Sequence, residues 1–383
     1  MYSLKLYDDT LIQFDMENKI TLKISNIKVI SDNKKLFPEI LQKEVTSDTI
    51  KQFLEQRIVP KNRTFVKNIL ESNDLDLRDI KGVIDISKGL SLIDCYWIVQ
   101  DDSLKFSDYN LYEHNFSTVL SLVAFTGYSS KIKGIATSPE FTTNGALPKA
   151  WRRINGEVYL YKGSTEYLKA SNVGFEPYSE YYIYQIADAI GIHAIPYNLN
   201  KWKGMLASTC KLFTTYDYSY VPIYLASRSN DIESVHDYCE GQGYKNEFAD
   251  MILLDSLTFN WDRHLGNFGL LKDNHTGEYV SFAPLFDHGA GLLSSAPINI
   301  FDDKQVFEDY WKNNKDLQIS NYGGDFRELV KAYCGKEQVA KLRKLASFKF
   351  KKHSKYNLPS KRLEMLNEMI HERAIELISI IEE

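Results

Sequence analysis

The chain of 383 residues has four cysteines, Cys95, Cys210, Cys239 and Cys334, and no two of them form a C-x-x-C or C-x-x-H pair. That spacing argues against a structural zinc site and against a disulfide-stapled scaffold. It makes a reducing, cytoplasmic setting the default. No apolar run approaches the ~18 residues a membrane span needs. The opening residues, MYSLKLYDDTLIQF, lack a basic stretch followed by a long apolar one, so no secretory leader is expected. There is no internal repeat and no low-complexity linker. Nor is there an excess of positive charge: 46 Lys and Arg against 51 Asp and Glu leave −5, which excludes polyanion binding driven by bulk charge.

What is there is an ordinary globular balance, 44% apolar and 25% charged, which excludes wholesale disorder and fibre. At ~150 residues per domain, the length suggests two domains or three lobes, enough to bury a core without staples. Aromatic residues are abundant, with 25 Tyr and 20 Phe. They suit half-buried positions lining pockets, and AT-rich codon usage would produce the same excess.

Periodicity gives the organisation. Alternation over residues 1–30 (Leu4, Leu6, then Leu11 to Met16, then Ile20 to Val29) predicts two or three strands. Ser47 or Asp48 is expected to cap a helix reaching Arg57, and Pro60 to open another reaching Glu71. Short strands are expected around Ile84 and over Tyr96–Val99, then a helix over Phe116–Phe125. Gly and Ser cluster at 127–133, where a domain boundary is placed. Beyond it, a strand over Val158–Tyr161 ends in Lys162. Pro177 starts a helix running to Ile190 and capped by Gly191. A strand follows over Leu206–Phe213, then an apolar helix over Glu247–Phe259, a polar loop, and strands at Gly269–Leu271 and Tyr279–Phe282. A last helix, 360–381, puts Leu363, Leu366, Ile370, Leu377 and Ile381 on one face.

The sharpest segment is Asn260-Trp261-Asp262-Arg263-His264-Leu265-Gly266-Asn267-Phe268-Gly269, between a helix and a strand. Phe286-Asp287-His288-Gly289 follows, with Asp287 twenty residues after Asn267. Singly, Asp262 reads as a turn or cap residue, Asn267 as a turn residue beside Gly266, and Asp287 as a cap before Gly289. Together they have the layout of phosphoryl transfer. One carboxylate receives the proton of the attacking hydroxyl, while an amide oxygen and a second carboxylate hold Mg²⁺ against nucleotide phosphates. The kinase loop H-R-D-x-x-x-x-N has the same Asp-to-Asn interval; here the triplet runs in reverse, Asp262-Arg263-His264.

In this order the segment resembles the catalytic and metal-binding loops of HipA-like serine/threonine kinases, and D-R-H-x-x-N also occurs in phosphatidylinositol kinases. Thr142-Thr143-Asn144-Gly145-Ala146-Leu147-Pro148-Lys149-Ala150-Trp151, then Tyr159-Leu160-Tyr161-Lys162-Gly163, is similar to that family's phosphate-covering loop and nucleotide lysine. Ser179-Glu180-Tyr181-Tyr182 resembles the opening of its next helix. The resemblance spans roughly residues 135–300, and nothing is carried over to the first 130. It implies Asp262 as catalytic base, Asn267 and Asp287 as Mg²⁺ ligands, and Lys162 on the nucleotide phosphates. The loop Thr142, Thr143, Asn144, Gly145 would cover ATP, with Thr142 or Thr143 as an autophosphorylated hydroxyl. It would be displaced by the charge of ~−2 a phosphate adds. Glu180 suits a partner for Lys162 and equally a helix first turn. His264 suits either charge stabilisation or ordering of the loop, and Arg263 a phosphate contact or a bridge to a surface acid. Phe213 to Thr215 stand where an interlobe hinge offers backbone groups to adenine.

Residues 341–362 carry nine cations (Lys341, Arg343, Lys344, Lys349, Lys351, Lys352, Lys355, Lys361, Arg362) and no acid, leaving −14 for the rest. A solvated basic face is favoured there over nucleic-acid contact. The expected fold class is α+β, a bilobal kinase-like domain with an added N-terminal α+β region over 1–130, a small lobe over 131–215 and a helical large lobe over 216–383. The expected function is ATP- and Mg²⁺-dependent phosphoryl transfer to protein hydroxyls, with no membrane contact. A toxin–antitoxin role with a helix-turn-helix antitoxin partner would follow from the family. Two alternatives stay open, a phosphoinositide or small-molecule kinase and a nucleotide-binding regulator acting with a DNA-binding partner.

Overall fold

In this computed structural model, residues 1–18, 21–76, 78–131, 137–168 and 172–383 are described. The boundary expected at 127–133 and the start of the strand expected at Ile20 fall partly outside them. The alternating N-terminal stretch forms β1 (Tyr2–Leu6), β2 (Asp9–Asn18) and β3 (Leu22–Val29), and β4 (Tyr96–Val99) returns to pair with β1. The antiparallel order is β3-β2-β1-β4. All five residues of β1 are buried, as a central strand covered on both faces must be. Leu4, Leu6, Ile12, Phe14, Phe37, Leu54 and Trp97 make its core. Trp97 is fully buried, donates its indole N–H to the Tyr7 carbonyl at 2.6 Å, and meets Phe106 edge-on at 5.6 Å.

Capping and one distant carbonyl changed three of the expected elements. The helix Ser47–Glu55 is capped one residue earlier than expected, by Thr46 in a capping box with Thr49. The segment around Ile84 is a helix, Ile80–Ser87, although its β-branched run reads as a strand. The Asp79 carboxylate accepts from the Gly82 N–H at 2.8 Å, and Val83, Ile84 and Ser87 bury one face. No helix starts at Pro60. Residues 61–65 are turns, and the helix is Val66–Glu71. Thr64 gives both its N–H (2.8 Å) and its hydroxyl (2.7 Å) to the Ala146 carbonyl, so that amide is not available to a helix. A second core joins Val66, Ile69, Leu70 and Val83 to Leu120 and Val123 of the helix Thr118–Thr126 and to Phe141.

The hairpin β5 (Lys149–Ile154) and β6 (Glu157–Lys162) turns at Asn155-Gly156, both left-handed, and sets Lys149 directly across from Lys162. The helix Glu176–Ile190 ends at Gly191 as expected. Then come the hairpin β7 (Tyr197–Trp202) and β8 (Met205–Lys211), β9 (Tyr218–Pro222), β10 (Gly269–Asp273) and β11 (Tyr279–Phe282), the last three forming a sheet in the order β11-β10-β9.

Contacts divide the chain into two units. The first is Met1–Lys162, Lys211–Val221 and Leu270–Ser281; the second is Gly163–Cys210, Pro222–Gly269 and Phe282–Glu383. The second is built round the helix Lys245–Thr258, buried at every residue from Phe248 onward. The helix Ser360–Glu382 packs on it and buries Leu363, Leu366, Ile370 and Leu377, with Ile380 rather than Ile381 buried. The basic stretch is a largely solvated face, as expected: of its nine cations only Lys341 and Arg362 are not exposed. Lys341 pairs with Asp250 and Arg343 with Glu382, while Lys344 and Arg362 cap the carbonyls of Ile190 and Leu293. Among the described residues no helix is long and apolar enough to cross a membrane.

Trp97→Ala would empty the centre of the N-terminal core and orphan the Tyr7 carbonyl. It should cost about 3–5 kcal/mol in chemical denaturation, with loss of the near-ultraviolet aromatic signal.

Candidate active site

The helix Lys245–Thr258 carries two acids in its apolar run, Asp250, which pairs with Lys341, and Asp255, which is fully buried. The chain then reverses through Phe259, which is left-handed, and Asn260. Asn260 donates to Asp255 Oδ1 at 2.7 Å. Arg263, equally buried, clasps the same carboxylate with two bonds, Nε to Oδ2 at 2.9 Å and Nη2 to Oδ1 at 3.0 Å. Burial works against the charge on Arg263, but the Asp255 carboxylate outweighs it and holds the guanidinium above its ordinary pKa. The rest of the guanidinium reaches two other loops. Nη1 donates to the Asn267 carbonyl at 3.0 Å and also to the Phe286 carbonyl. Nη2 lies 3.1 Å from His288 Nδ1. Arginine has only donors, so this His288 nitrogen accepts and the ring is neutral. Arg263 is therefore neither a surface bridge nor exposed to a phosphate. It is the internal tie between the segments carrying Asn267 and Asp287.

The backbone around Asp287 is pinned on every side. Its own N–H donates to the Tyr197 hydroxyl at 3.2 Å. The next N–H, of His288, donates to Glu180 Oε2 at 3.0 Å. The Ser179 hydroxyl spans the carbonyls of His288 (2.9 Å) and Gly291 (2.7 Å). Asp287 itself is left-handed, with φ 60°. For a non-glycine residue that conformation costs about 1–2 kcal/mol, least for Asp and Asn, and these bonds hold it there. Glu180 lies a full turn inside its helix and is completely buried, so it is not a first-turn surface acid; Glu176 is the acid there.

Asn267 is buried, and its N–H donates to the His264 carbonyl at 2.8 Å. His264 is exposed, and its Nδ1 accepts from the Gly266 N–H at 3.1 Å, which orders the turn. Asp262 is half-buried, and its Oδ1 accepts from the Asn321 side chain at 3.3 Å. The Asn321 N–H donates to the Trp261 carbonyl at 2.8 Å. The neighbouring Tyr322 hydroxyl is buried, and burial, with the Asp255 charge adding to it, raises its pKa far above the usual range.

In the first unit, the loop after Phe141 holds the remaining expected residues. Thr142 is buried, its hydroxyl donating to the carbonyls of Leu90 (3.0 Å) and Pro139 (3.3 Å). The half-buried Thr143 donates to the Pro139 carbonyl at 2.6 Å and accepts from the Trp151 indole at 2.8 Å. Asn144 and Gly145 are exposed. Lys149 bonds the Asn144 carbonyl at 2.7 Å. A Cβ on Gly145 would meet that lysine nitrogen at 2.0 Å, and φ is 92°, so glycine is required. Lys162 is buried at the end of β6. Phe213 packs edge-on against Tyr220 at 5.6 Å, and the exposed Thr215 closes a turn with Tyr218 at 3.0 Å.

Under this loop sits a buried ion pair, Arg63 and Glu140, at 3.9 Å. Glu140 Oε1 accepts from the Trp151 N–H at 2.9 Å and the Ser121 hydroxyl at 3.3 Å. Burial pushes the Glu140 carboxyl up to about 7, although Arg63 opposes the shift. Sequence reasoning missed Asp255, Tyr197, Asn321, Arg63 and Glu140. Only Asp255 left a signal, an acid interrupting MILLDSLTF.

The donor set fits a hard cation. Asn267 and Asp287 offer only oxygen, on loops tied by a single arginine nitrogen.

No family model matches the chain. The serine/threonine-protein kinase CtkA of Helicobacter pylori is 29% identical over 161 residues, 37% of this chain and 49% of that protein. The chain thus spans about half the length of that curated relative. Among solved structures, the HipA, HipB and operator DNA complex of the Shewanella oneidensis MR-1 toxin–antitoxin system contains a chain that matches over 100% of both lengths, with TM-score 0.55 and 11% identity. The structure of the Helicobacter pylori proinflammatory kinase CtkA covers 62% of this chain and 91% of its own, with TM-score 0.49 and 20% identity. The fold is α+β and HipA-like. The full-length match takes in residues 1–130, where the sequence resemblance had given nothing.

Two outcomes follow. Arg263→Met would strand the buried Asp255 charge and cost about 3–5 kcal/mol in urea unfolding. Adding Asp255→Leu should recover much of that stability and none of the loop geometry that Arg263 holds. Glu140 has a folded pKa of about 7 above its ordinary 4.5. Its contribution is complete below about pH 4.5 and is lost as pH rises through about 7, amounting to up to about 3 kcal/mol. Thermal melts from pH 5 to pH 8 should show a smaller decline in Glu140→Gln than in the unsubstituted chain.

Proposed function

We propose that this HipA-like fold is a working kinase, transferring the γ-phosphoryl group of ATP to serine or threonine hydroxyls of a protein in an ATP- and Mg²⁺-dependent reaction. The observation that carries this reading is the Arg263 tie, which brings the Asn267 and Phe286-Asp287 segments onto one buried cation. A purely structural loop would not need a left-handed acid whose flanking backbone groups are bonded by Tyr197, Glu180, Ser179 and Arg263.

In this reading Asp262 orients the acceptor hydroxyl and takes its proton. Asn321 steadies that carboxylate, and His264 shapes the turn between Asp262 and Asn267. Asn267 and Asp287 would hold Mg²⁺, which neutralises phosphate charge when bound. Lys162 and the loop from Thr142 to Gly145 would hold the phosphates, and the segment Phe213 to Thr215 the adenine. Catalysis would rest on positioning and on fixed charge. The 29% identity to a serine/threonine-protein kinase supports a protein acceptor. Autophosphorylation at Thr142 would require the loop to leave its seat, because that hydroxyl is buried and bonded; Thr143 is the more open of the two. The HipA likeness, in a toxin–antitoxin structure that also holds HipB and operator DNA, supports an antitoxin partner for this chain.

The test is incubation with labelled ATP and Mg²⁺, followed by mass spectrometry of the chain and of lysate proteins, with lipid vesicles as a parallel acceptor. Label should enter protein and not lipid. Asp262→Ala and Asp287→Asn should each lower transfer by at least about a hundredfold while their melting curves stay close to the parent. Turnover surviving in either variant would remove the assignment.

A further inference from the structure

We infer that Arg63 and Thr64 of the N-terminal third are positioning residues for the nucleotide phosphates, acting through the backbone of the loop Gly145–Lys149; this rests on the proposed nucleotide-binding role of that loop. Three loop carbonyls are held from this one site. The Arg63 guanidinium donates to Lys149 at 2.8 Å and to Gly145 at 3.5 Å. Thr64 donates its N–H and its hydroxyl to Ala146, at 2.8 and 2.7 Å.

The consequence follows from the planar trans peptide, in which C=O and N–H point in opposite directions. Holding the Gly145 and Ala146 carbonyls toward Arg63 and Thr64 turns the N–H groups of Ala146 and Leu147 the other way. Successive backbone N–H groups presented on one side of a loop form an anion cradle. The clamp therefore sets which face of the loop is positive. From within the loop, Lys149 holds the Asn144 carbonyl at 2.7 Å, so carbonyls at 144, 145, 146 and 149 are all tied back.

The clamp is also costly to build. Arg63 is almost fully buried, with Glu140 at 3.9 Å and burial lowering its pKa to about 10. Apolar residues filling the same space would often be at least as stable. Packing alone therefore does not explain the pair, whereas donors aimed at loop carbonyls do. It also gives residues 1–130 a part in the chemistry, since Arg63 and Thr64 replace what the sequence suggested was a helix with turns that reach the loop.

The experiment uses the full chain with Arg63→Lys, which keeps charge and loses the fork, and Thr64→Val, which keeps shape and the N–H but loses the hydroxyl. MgADP affinity is measured by calorimetry, and KM for ATP and kcat by transfer. We expect affinity to fall about tenfold for Arg63→Lys and about threefold for Thr64→Val, KM for ATP to rise in step, and kcat at saturating ATP to stay within about twofold. Thr64→Val should melt like the parent, which separates loop shape from folding. Unchanged MgADP affinity in both folded variants overturns the proposal, as does a loss confined to kcat. A parent chain that binds MgADP but transfers nothing would defeat the kinase reading alone, and the binding comparison would still decide the clamp. A parent chain that binds no MgADP would defeat both.

Discussion

One buried guanidinium organises the second unit. Arg263 neutralises Asp255 inside the helix Lys245–Thr258, and with its remaining donors it fixes the carbonyls of Asn267 and Phe286 and the ring of His288. A buried arginine must satisfy its donors and find a counter-charge, or it destabilises the fold. That requirement couples three stretches separated in sequence. The helix supplies the acid, the loop after it the cation, and the segment Phe286 to His288 the last acceptors. Asp262 and His264, on either side of Arg263, are anchored by the same residue that makes the core neutral.

The acceptor groups on Asp287 are set by a similar rule. Its left-handed backbone would relax unless held. Tyr197, Glu180 and Ser179 supply the opposing bonds from a strand and a helix far from it in the chain. In the first unit the same logic recurs with a different pair. Arg63 lies beside Glu140 beneath a loop, and the donors of Arg63 shape that loop. In both units a buried ion pair holds a loop in place, and in both the arginine does what a lysine could not, because its fork serves several acceptors at fixed angles.

Much of this was legible beforehand, and the reasons are local. The order Asp262-Arg263-His264, the interval to Asn267 and the Phe286-Asp287 step lie in short segments whose chemistry is readable without the fold. The helix Glu176–Ile190 was readable because its Pro177 and Gly191 act on their own backbone. The reading failed where a cap, burial or a distant group competed. Ile84 read as a strand until Asp79 and burial made it helical. Residues 61–65 read as a helix until Ala146 took the Thr64 amide. Arg263 read as a surface or phosphate-binding residue because its partners include backbone carbonyls, which leave no trace in residue type.

By itself, the sequence determined where Asp262, Asn267 and Asp287 fall relative to one another, the chemistry proposed for them, and most of the regular elements near them. These depend on residue type and on spacings of a few residues. Only the tertiary structure decided that Arg263 lies inside, that Glu180 is bonded to the His288 backbone, that Asn321 meets Asp262, and that the N-terminal third reaches the loop over Thr142–Lys149. Those pairings join residues tens of positions apart. The energy that fixes them is the need of each buried donor and acceptor for a partner, and which partner is in reach is a property of the fold.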